Sequence, residues 1–425
     1  MPVFSGITVL ELGHFVAVPW AGQVLADGGA HVIKVEPPEG EPTRYIAPLV
    51  PGEGRHFLVR NRGKHALPLD LKHRDAREIL DALLARADVM LANMRPGLAA
   101  QLGLEYEQLA PRFPRLIVGT VTAFGPRGPD ATLAGMDHVV QARSGMMVTG
   151  GRVKDGLPTS GESPFADYMA AALLAFGVAS ALYRRERTGR GSRVDTSLLQ
   201  AALALQNNLM VRVDRFDGAR HAEFAGWLRE ARSAGVPFAE QVERMPRNRP
   251  AGSATVYVRT YATKDAAIAI ACGSPSLRKK FIAAMGLTDP ALDDEIAPEA
   301  IDGHYLRLKR EVEAVMASRN AEEWQAVLSA AGIPAGTVAL PLEMLDAPQP
   351  AGNGMVHRYE HAVLGPVTVL APPLSMSDAG FAAAPPAKPF GSEVPELLAW
   401  AGFDAADVER LATGGAVTPR PRGQA

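Results

Sequence analysis

Residues 7–36 read ITVLELGHFVAVPWAGQVLADGGAHVIKVE, and this stretch decides the fold. Ile7–Leu12 is a short apolar run typical of a buried strand, and His31–Glu36 is a second such run. Between them, Trp20–Ala26 has a helical pattern that ends at two glycines, as helices commonly do. A strand, a helix and a second strand in this order predict a β-α-β unit.

The same alternation continues along the chain. Further strands are predicted at Ala66–Leu71, Asp88–Leu91 and Leu116–Val121, with a helix at Arg74–Ala87 between the first two. Regular alternation of strands and helices is typical of a parallel, doubly wound sheet that is covered on both faces. We therefore expect an α/β protein.

Changes in composition divide the chain into regions. Arg212–Ser253 is rich in Arg and Glu and closes with prolines and a glycine, which is typical of a linker. The following residues have the patterns of strands at Ala254–Ile270 and of helices at Ser276–Met285, Tyr305–Ala317 and Ala321–Ala331, which predicts a smaller α+β domain. The predicted regions are a large domain (1–211), a linker (212–253), a small domain (254–340), a second linker with return strands (341–390), C-terminal helices (391–417) and a disordered tail (418–425).

Length and composition are those of an ordinary soluble globular protein. The chain has 425 residues and is 47% hydrophobic and 21% charged, so it can bury a large core. Its net charge of −2, without a basic run interleaved with aromatics, argues against nucleic-acid binding. The single cysteine, Cys272, follows an apolar run and is predicted to be a buried thiol. The N-terminal residues lack the pattern of a secretory signal, so we expect a cytoplasmic protein.

Asp167 is the first candidate for chemistry. Ser163 is a good N-cap and Pro164 suits the first helical position, which puts Asp167 about one turn into a helix. The helix dipole favours an ionised carboxylate there, by roughly 0.3–1 kcal/mol at exposed sites. Small and apolar residues follow, which predicts a core helix and not a membrane anchor. Asp167 is therefore either an anionic nucleophile at a pocket floor or a plain stabiliser of its helix.

Three other classes of site have less support from the sequence. Glu36 ends the second strand, where a dehydrogenase has its ribose-binding acid, but the turn at residues 13–19 has one glycine where the dinucleotide fingerprint needs three. No phosphate-binding Walker loop is present. His357 and His361 have helical spacing but lack the glutamate of a zinc-protease motif, so no metal site is expected.

Short motifs in a fixed order resemble a known family, the class III coenzyme A transferases, which include formyl-CoA and crotonobetainyl-CoA transferases. The resemblance spans almost the whole chain, and its strength comes from the colinearity of motifs that are individually weak. The motifs are Gly6–Leu10, Pro19, Leu25–Glu36, Leu69–Lys72, Asn93–Gly97, Asp167, Arg187–Gly191 and Ala331–Gly336.

The resemblance implies both a fold and an assembly. The fold is a Rossmann-like large domain plus a smaller α+β domain, with C-terminal helices that return to the large domain. The assembly is a homodimer of two interlocked rings. The expected partners are an acyl-CoA and a small carboxylic acid, with coenzyme A as a substrate and no tightly bound cofactor; no membrane or nucleic-acid partner is expected.

The resemblance also implies a mechanism. The carboxylate of Asp167 attacks the thioester carbonyl to form a mixed anhydride, which CoA converts to an aspartyl-CoA thioester, and the acceptor carboxylate then enters. A carboxylate nucleophile lets each step conserve the energy of the thioester. Backbone N–H groups at the start of the helix are expected to stabilise the tetrahedral oxyanion.

Positions that match the family's CoA contacts are candidate binding residues. Each also has a structural alternative, such as a turn residue, a solvated strand end or a surface helix residue. Gln101 stands where formyl-CoA transferase has an arginine, so Arg44 is considered as a substitute for phosphate recognition. The candidates are His14, Val16 and Ala17 in the first loop, Leu69, Asp70, Leu71 and Lys72, then Asn93, Met94 and Arg95, and finally Asp137 near the pantetheine.

Two departures bear on the substrate. The segment 247–253 has one glycine where formyl-CoA transferase has a run of them, so an oxalate and formate pair is not expected; Arg247 and Arg249 are candidates for binding the free end of a dicarboxylate. The related α-methylacyl-CoA racemases need a histidine where this chain has Met136, although His138 is close in sequence. Racemisation is therefore the second hypothesis, followed by a dehydrogenase and a catalytically silent CoA-binding protein.

Overall fold

The computed structural model describes residues 1–95, 97–246, 252–293, 296–297, 300–378 and 380–419. The chain forms two compact units. The first contains residues 1–243 and 349–425, and the second contains residues 244–348.

The first unit is built on a parallel sheet. Strands β1, β2, β5, β6, β7 and β10 pair in the order β10-β7-β6-β1-β2-β5, and every pairing is parallel. Two antiparallel strand pairs in the N-terminal part of this unit are short, β3 with β4 and β8 with β9. The strands are β1 (Thr8–Leu12), β2 (His31–Glu36), β3 (Pro48–Val50), β4 (Glu53–Gly54), β5 (Lys64–Pro68), β6 (Val89–Ala92), β7 (Ile117–Thr122), β8 (Val153–Lys154), β9 (Leu157–Pro158) and β10 (Arg193–Ser197).

Helices cover both faces of this sheet, as the alternation predicts. Successive side chains of a strand point to opposite faces, so Val9 of β1 joins the core under α1, α8 and α9 while Leu10 joins the core beside α3. The helices are α1 (Ala17–Asp27), α2 (Arg55–Asn61), α3 (Ala76–Leu84), α4 (Leu98–Gln101), α5 (Tyr106–Leu109), α6 (Asp137–Arg143), α7 (Met146–Thr149), α8 (Phe165–Thr188), α9 (Leu198–Leu205), α10 (Asp214–Ser233) and α11 (Phe238–Glu243).

The predicted β-α-β unit is confirmed, and the mixed α/β class with it. Strand β5 begins two residues earlier than predicted, at Lys64. The ammonium of Lys64 is buried against Glu11, with 2.8 Å between Nζ and Oε2. From the sequence alone, a lysine is expected to be solvated. Lys64 lies inside the sheet because Glu11, which is distant in sequence, pairs with its charge.

The range 212–253, predicted as a linker, contains regular structure. It holds α10, a helix of 20 residues, and α11. Arg, Glu and Ala are good helix formers, so a charged composition by itself does not exclude a helix. Residues 247–251, which include the candidates Arg247 and Arg249, lie outside the described residues.

The second unit has its own antiparallel sheet and core. Cys272 is fully buried there, as predicted. The sheet has the order β11-β12-β13, and the elements are α12 (Ala254–Tyr257), β11 (Val258–Ala262), β12 (Ala267–Ala271), α13 (Pro275–Ala284), α14 (Ile301–Met316), α15 (Ala321–Ala330) and β13 (Ala335–Thr337).

The C-terminal part of the chain belongs to the first unit. It contains α16 (Pro348–Gly352), the hairpin β14 (Val356–His361) and β15 (Gly365–Leu370), then α17 (Val394–Ala401) and α18 (Ala405–Thr413). Apolar residues of α17 and α18 share a core with β1, β2 and α3.

Thr418 begins the tail that was predicted to be disordered, but it is buried. Its backbone N–H donates to the carbonyl of Pro68 at 3.3 Å, and Val417 forms a β-bridge with Leu69. These backbone bonds to the end of β5 order the chain as far as Thr418. Residues 420–425 lie outside the described part of the chain.

Helix α8 is the one helix among the described residues that is long and apolar enough to cross a membrane by those two criteria. In the structure its apolar side chains, including Leu174 and Val178, belong to the core that α8 forms with the sheet and with α1 and α9. One stripe remains open in the single chain, with Phe176 and Tyr183 exposed. The helix is therefore a core helix with one uncovered stripe, less enclosed than the sequence predicted.

Gly22 of α1 lies against the buried Glu11, and we predict that it tolerates no side chain. A Cβ at Gly22 would lie 1.9 Å from Oε2 of Glu11, which is held by two lysines. We expect Gly22→Ala to lower the free energy of unfolding by about 1–3 kcal/mol, measured by urea denaturation. Gly226→Ala in α10 is the control, because a Cβ at Gly226 would have no neighbouring side chain or other segment within 4 Å. Helix propensity there favours alanine over glycine by up to about 1 kcal/mol. Equal effects of the two substitutions would contradict the prediction.

Candidate functional site

The predicted CoA-binding segments meet at one edge of the parallel sheet. The first loop follows β1, Leu69–Lys72 follow β5, and Asn93–Arg95 follow β6. The chain leaves β1 in one direction toward β2 and β5, whereas β6 and β7 lie on its other side, so β1 and β6 flank a topological switch point. Ligands of open α/β sheets bind in the crevice outside the carboxyl ends of the strands at such a point.

Two hydrogen bonds join the loops across this switch point. The backbone N–H of His14 donates to Oδ1 of Asn93 at 2.9 Å, and Nδ2 of Asn93 donates to the carbonyl of His14 at 2.9 Å. The amide of Asn93 thus fixes the backbone of His14 on both sides. Phe15 has a φ of +66°, which is uncommon for a residue with a side chain and marks a tight turn.

The imidazole of His14 faces a buried carboxylate. Its Nδ1 lies 3.8 Å from Oε2 of Glu41, a fully buried residue. Burial by itself would raise the pKa of Glu41, but the Lys34 ammonium, with His14 and Thr43, holds that pKa well below its usual range. The buried charge therefore stays anionic behind His14.

The other candidates differ in how accessible their side chains are. Ala17 and Leu69 are buried in the two cores, so only their backbone can reach a ligand. Lys72 and Arg95 are exposed, and Asp70 accepts a hydrogen bond from the backbone N–H of Lys72 at 2.9 Å. Pro96, within the matched motif, lies outside the described residues. Val16 is buried, whereas Leu71 and Met94 are partly buried.

Asp137 holds the start of helix α8. Its Oδ1 accepts from the backbone N–H of Ala166 at 2.8 Å and from that of Asp167 at 3.2 Å, while Gln141 donates to its other oxygen. The cap of α8 therefore comes from the first turn of α6, about 30 residues earlier, and this brings Asp137 and Asp167 together.

Two sequence predictions at this helix start are wrong. The helix begins at Phe165 with Pro164 as its N-cap, and the Ser163 side chain makes no cap hydrogen bond with the described residues. The backbone N–H groups expected to stabilise an oxyanion are occupied, because Asp137 binds those of Ala166 and Asp167. The sequence indicated a helix start but not the distant carboxylate that satisfies it.

Asp167 has a raised pKa. Burial and then the neighbouring Asp137 raise the pKa of Asp167 to about 7, and Arg60 acts in the opposite direction. This outweighs the dipole effect expected from the sequence. With a pKa of about 7, the carboxyl group of Asp167 exchanges between its neutral and ionised forms near neutral pH.

The structure adds a group of residues around Tyr168, the neighbour of Asp167 in the chain, that the sequence did not single out. Nε of Arg60 lies 3.3 Å from the hydroxyl of Tyr168, and the ring of Trp20 meets that of Tyr168 edge to face at 5.4 Å. His56 lies on the other side of Arg60, with 3.4 Å between Nδ1 and Nη1. These contacts join three separate segments, so no local sequence pattern could show them.

Arg44 is not a phosphate-binding substitute. It is 1% exposed, and its guanidinium binds both carboxylate oxygens of Glu36, at 2.7 and 2.8 Å. The same pair removes Glu36 from consideration as a ribose-binding acid. The sequence pattern placed Glu36 correctly at the end of a strand. Its role is to form an ion pair with Arg44, which the pattern did not show.

The geometry gives no support to a racemase or a metal enzyme. Met136 is 55% exposed, and the nearby His138 lies on the surface with Nδ1 2.8 Å from Oγ of Ser160. Within the described ranges, no group of three or more His, Cys, Asp or Glu side chains could hold a metal ion. Asp167 with Asp137 and Arg60 remains the chemically distinctive cluster.

Comparisons with known proteins identify the family. The model of CoA-transferase family III matches residues 4–392. This chain belongs to CoA-transferase family III. The predicted family resemblance and enzyme class are thus confirmed: the protein is a CoA-transferase, and it uses a CoA thioester as substrate.

Known family III members include proteins that act on different acids. The chain is 33% identical over 361 residues to acetyl-CoA:oxalate CoA-transferase of Acetobacter aceti, covering 83% of this chain and 85% of that protein. It is 28% identical over 420 residues to cinnamoyl-CoA:phenyllactate CoA-transferase of Clostridium sporogenes, covering 96% of each. The crystal structure of the hypothetical protein Rv3272 from Mycobacterium tuberculosis matches with a TM-score of 0.75 and 29% identity, over 93% of this chain and 99% of that one.

The pKa of Asp167 gives a testable pH dependence for the family III enzyme. We expect kcat/KM to rise with pH through about 7 as Asp167 ionises, in a pH–rate profile with an acyl-CoA substrate. Asp137→Asn keeps an oxygen that can cap α8 but removes the negative charge. The pKa of Asp167 then falls, so the rising limb of the pH–rate profile moves to lower pH.

The control for this shift is Asp130→Asn. Asp130 pairs with Arg143 and is not a cause of the raised pKa of Asp167, so its removal leaves the limb in place. A limb that stays near 7 in Asp137→Asn would show that the charge of Asp137 does not control the ionisation of Asp167.

Proposed function

We propose that this CoA-transferase moves CoA from an acyl-CoA to a carboxylic acid through covalent intermediates on Asp167. The observation that carries the proposal is the placement of Asp167: a half-buried carboxyl group at the start of a core helix, with its backbone held by Asp137. Its pKa near 7 leaves a basic carboxylate available at neutral pH.

The proposed steps balance without a cofactor. The Asp167 carboxylate attacks the acyl carbonyl, and the C–S bond breaks to give an acyl-aspartyl anhydride and CoA thiolate. The thiolate attacks the aspartyl carbonyl, which releases the donor carboxylate and leaves an aspartyl-CoA thioester. The acceptor carboxylate attacks this thioester and expels thiolate. The thiolate then attacks the new acyl carbonyl, which forms the product acyl-CoA and restores the Asp167 carboxylate.

The surroundings of Asp167 support chemistry that must exclude water, because hydrolysis of either intermediate wastes the thioester. Ala166 and Ala170 of the same helix are fully buried in the core. Tyr168, the next residue along the helix, packs its ring edge to face against that of Trp20. Low polarity around Asp167 also explains why burial is the largest cause of its raised pKa.

We further propose that CoA binds along the carboxyl edge of the sheet. The first-loop residues, the loop after β5 and the loop after β6 present His14, Asp70, Lys72, Asn93 and Arg95 there. The hydrogen-bonded pair of His14 and Asn93 supports this proposal, since it fixes the crevice at the switch point. An interlocked homodimer is proposed from the family resemblance.

Trapping of the intermediate tests the proposed function. We expect the wild-type protein, incubated with succinyl-CoA or another short acyl-CoA and then with hydroxylamine, to gain the mass of one hydroxamate, because hydroxylamine captures an activated aspartyl group. Intact-mass spectrometry measures the change, and peptide mapping places it at Asp167. Asp167→Ala gains no mass, whereas Asp130→Asn behaves like the wild type.

A different result would favour the racemase hypothesis. If no thioester of the panel labels the protein and deuterium from solvent enters the α-carbon of a branched acyl-CoA, the aspartyl mechanism is wrong. Labelling that persists in Asp167→Ala would move the nucleophile to another residue.

A further inference from the structure

Arg60 has a buried guanidinium that forms no ion pair with any carboxylate of the described residues. Its side chain lies in α2, and the residue is 6% exposed. Its hydrogen bonds are long, 3.3 Å from Nε to the Tyr168 hydroxyl and 3.4 Å from Nη1 to the carbonyl of His56. None of the described carboxylates lies within 4.0 Å of it. An arginine is almost never buried without a partner, because desolvating its charge is costly.

The other arginines buried in the described part of the chain differ from Arg60 in this respect. Each one has a carboxylate within 3 Å, and the pairs are Arg44 with Glu36 at 2.7 Å, Arg62 with Asp27 at 2.6 Å, and Arg185 with Asp88 at 2.9 Å.

The position of Arg60 connects it to the reaction centre. Its guanidinium lies 5.7 Å from the ring centroid of Tyr168, the residue that follows Asp167. Trp20 covers another side of the same ring. A buried cation beside the ring of Tyr168, without an ion pair and next to the proposed nucleophile, is a candidate site for an anion. The planar fork of N–H donors of arginine matches a carboxylate.

We propose that Arg60 binds the distal carboxylate of a short dicarboxylic acid whose other carboxyl group reacts at Asp167. The inference rests on the proposed function. An arginine that held the reacting carboxyl group would have to reach the atoms that Asp167 attacks, about 3–3.5 Å from its oxygens, and would then pair with Asp167 in the free enzyme. The two side chains are not within 4.0 Å, which favours the far end of the acid. Of the acids named for two relatives, oxalate is a dicarboxylate and phenyllactate is a monocarboxylate. The comparisons therefore do not tell which kind of acid this chain uses, and Arg60 favours a dicarboxylate.

The test compares succinyl-CoA with butyryl-CoA, which has the same four-carbon chain without the second carboxylate. The rate of acylation of Asp167 is followed by hydroxamate formation in the wild type, Arg60→Met and Arg60→Lys. We expect Arg60→Met to lower kcat/KM for succinyl-CoA about 10- to 100-fold, mainly through KM, because a charged hydrogen bond is lost. The assay is run at a pH well above 7, where Asp167 is ionised with or without Arg60. Under that condition butyryl-CoA is little affected, and Arg60→Lys recovers part of the activity with succinyl-CoA.

A thermal measurement separates binding from a structural role. Removing an unpaired buried charge should leave the Tm of Arg60→Met unchanged or higher. Arg62→Met is the matched control, since Arg62 is equally buried and lies two residues away, but it breaks the pair with Asp27 and should lower the Tm. Succinate should raise the Tm of the wild type and not that of Arg60→Met.

Several outcomes would overturn the inference. An equal loss with both thioesters in Arg60→Met would place Arg60 at the reacting carbonyl, and a fall in Tm as large as that of Arg62→Met would make Arg60 structural. Acylation by butyryl-CoA with unchanged use of succinyl-CoA in Arg60→Met would overturn only the role of Arg60. If succinyl-CoA does not acylate the wild type, this inference is overturned, and the proposed function falls with it only if no other short acyl-CoA labels Asp167.

Discussion

The interaction on which the rest of the first unit depends is the pairing of Glu11 with two lysines inside the sheet. Nζ of Lys34 and Nζ of Lys64 each lie 2.8 Å from a Glu11 oxygen, so one carboxylate of β1 binds a side chain from β2 and another from β5. Oε2 of Glu41 lies 3.4 Å from Nζ of Lys34. The buried group therefore contains two carboxylates and two ammonium groups. A neutral set of this kind tolerates burial, whereas loss of a single member leaves an unpaired charge, which typically costs about 3–5 kcal/mol.

This charged group is also where the fold and the site meet. Lys34 donates to the carbonyl of Gly13 at 2.7 Å, so the cation that holds the strands together also fixes the backbone just before His14. Glu41 then faces the His14 imidazole, and Asn93 fixes the His14 backbone from β6. The crevice at the switch point is thus rigid because its supports are buried strands, and a binding edge set on strands is positioned more precisely than one on loops alone.

The sequence predicted the features that depend on local pattern. The β-α-β unit at residues 7–36, the strand β2 with its observed bounds, and α17 at Val394–Ala401 follow from apolar periodicity and terminal signals. The signals of a helix start made Asp167 a candidate and the family resemblance made Asp137 one, but neither predicted the hydrogen bond between them. The cap from Asp137, the pairing of Arg44 with Glu36 and the unpaired Arg60 depend on residues brought together by the fold, and no spacing rule reports a contact between α2 and α8.

Asp137 has two opposite effects at the start of α8. It stabilises the helix and it destabilises the ionised form of Asp167. As a cap, its carboxylate satisfies two backbone N–H groups at the start of α8 and stabilises the helix, typically by about 1 kcal/mol. As a nearby anion, it makes ionisation of Asp167 less favourable and raises its pKa. A neutral cap such as serine would provide the first effect without the second. The carboxylate cap therefore makes the ionised form of Asp167 less stable and its carboxylate more basic, which supports the proposed attack of Asp167 on a thioester.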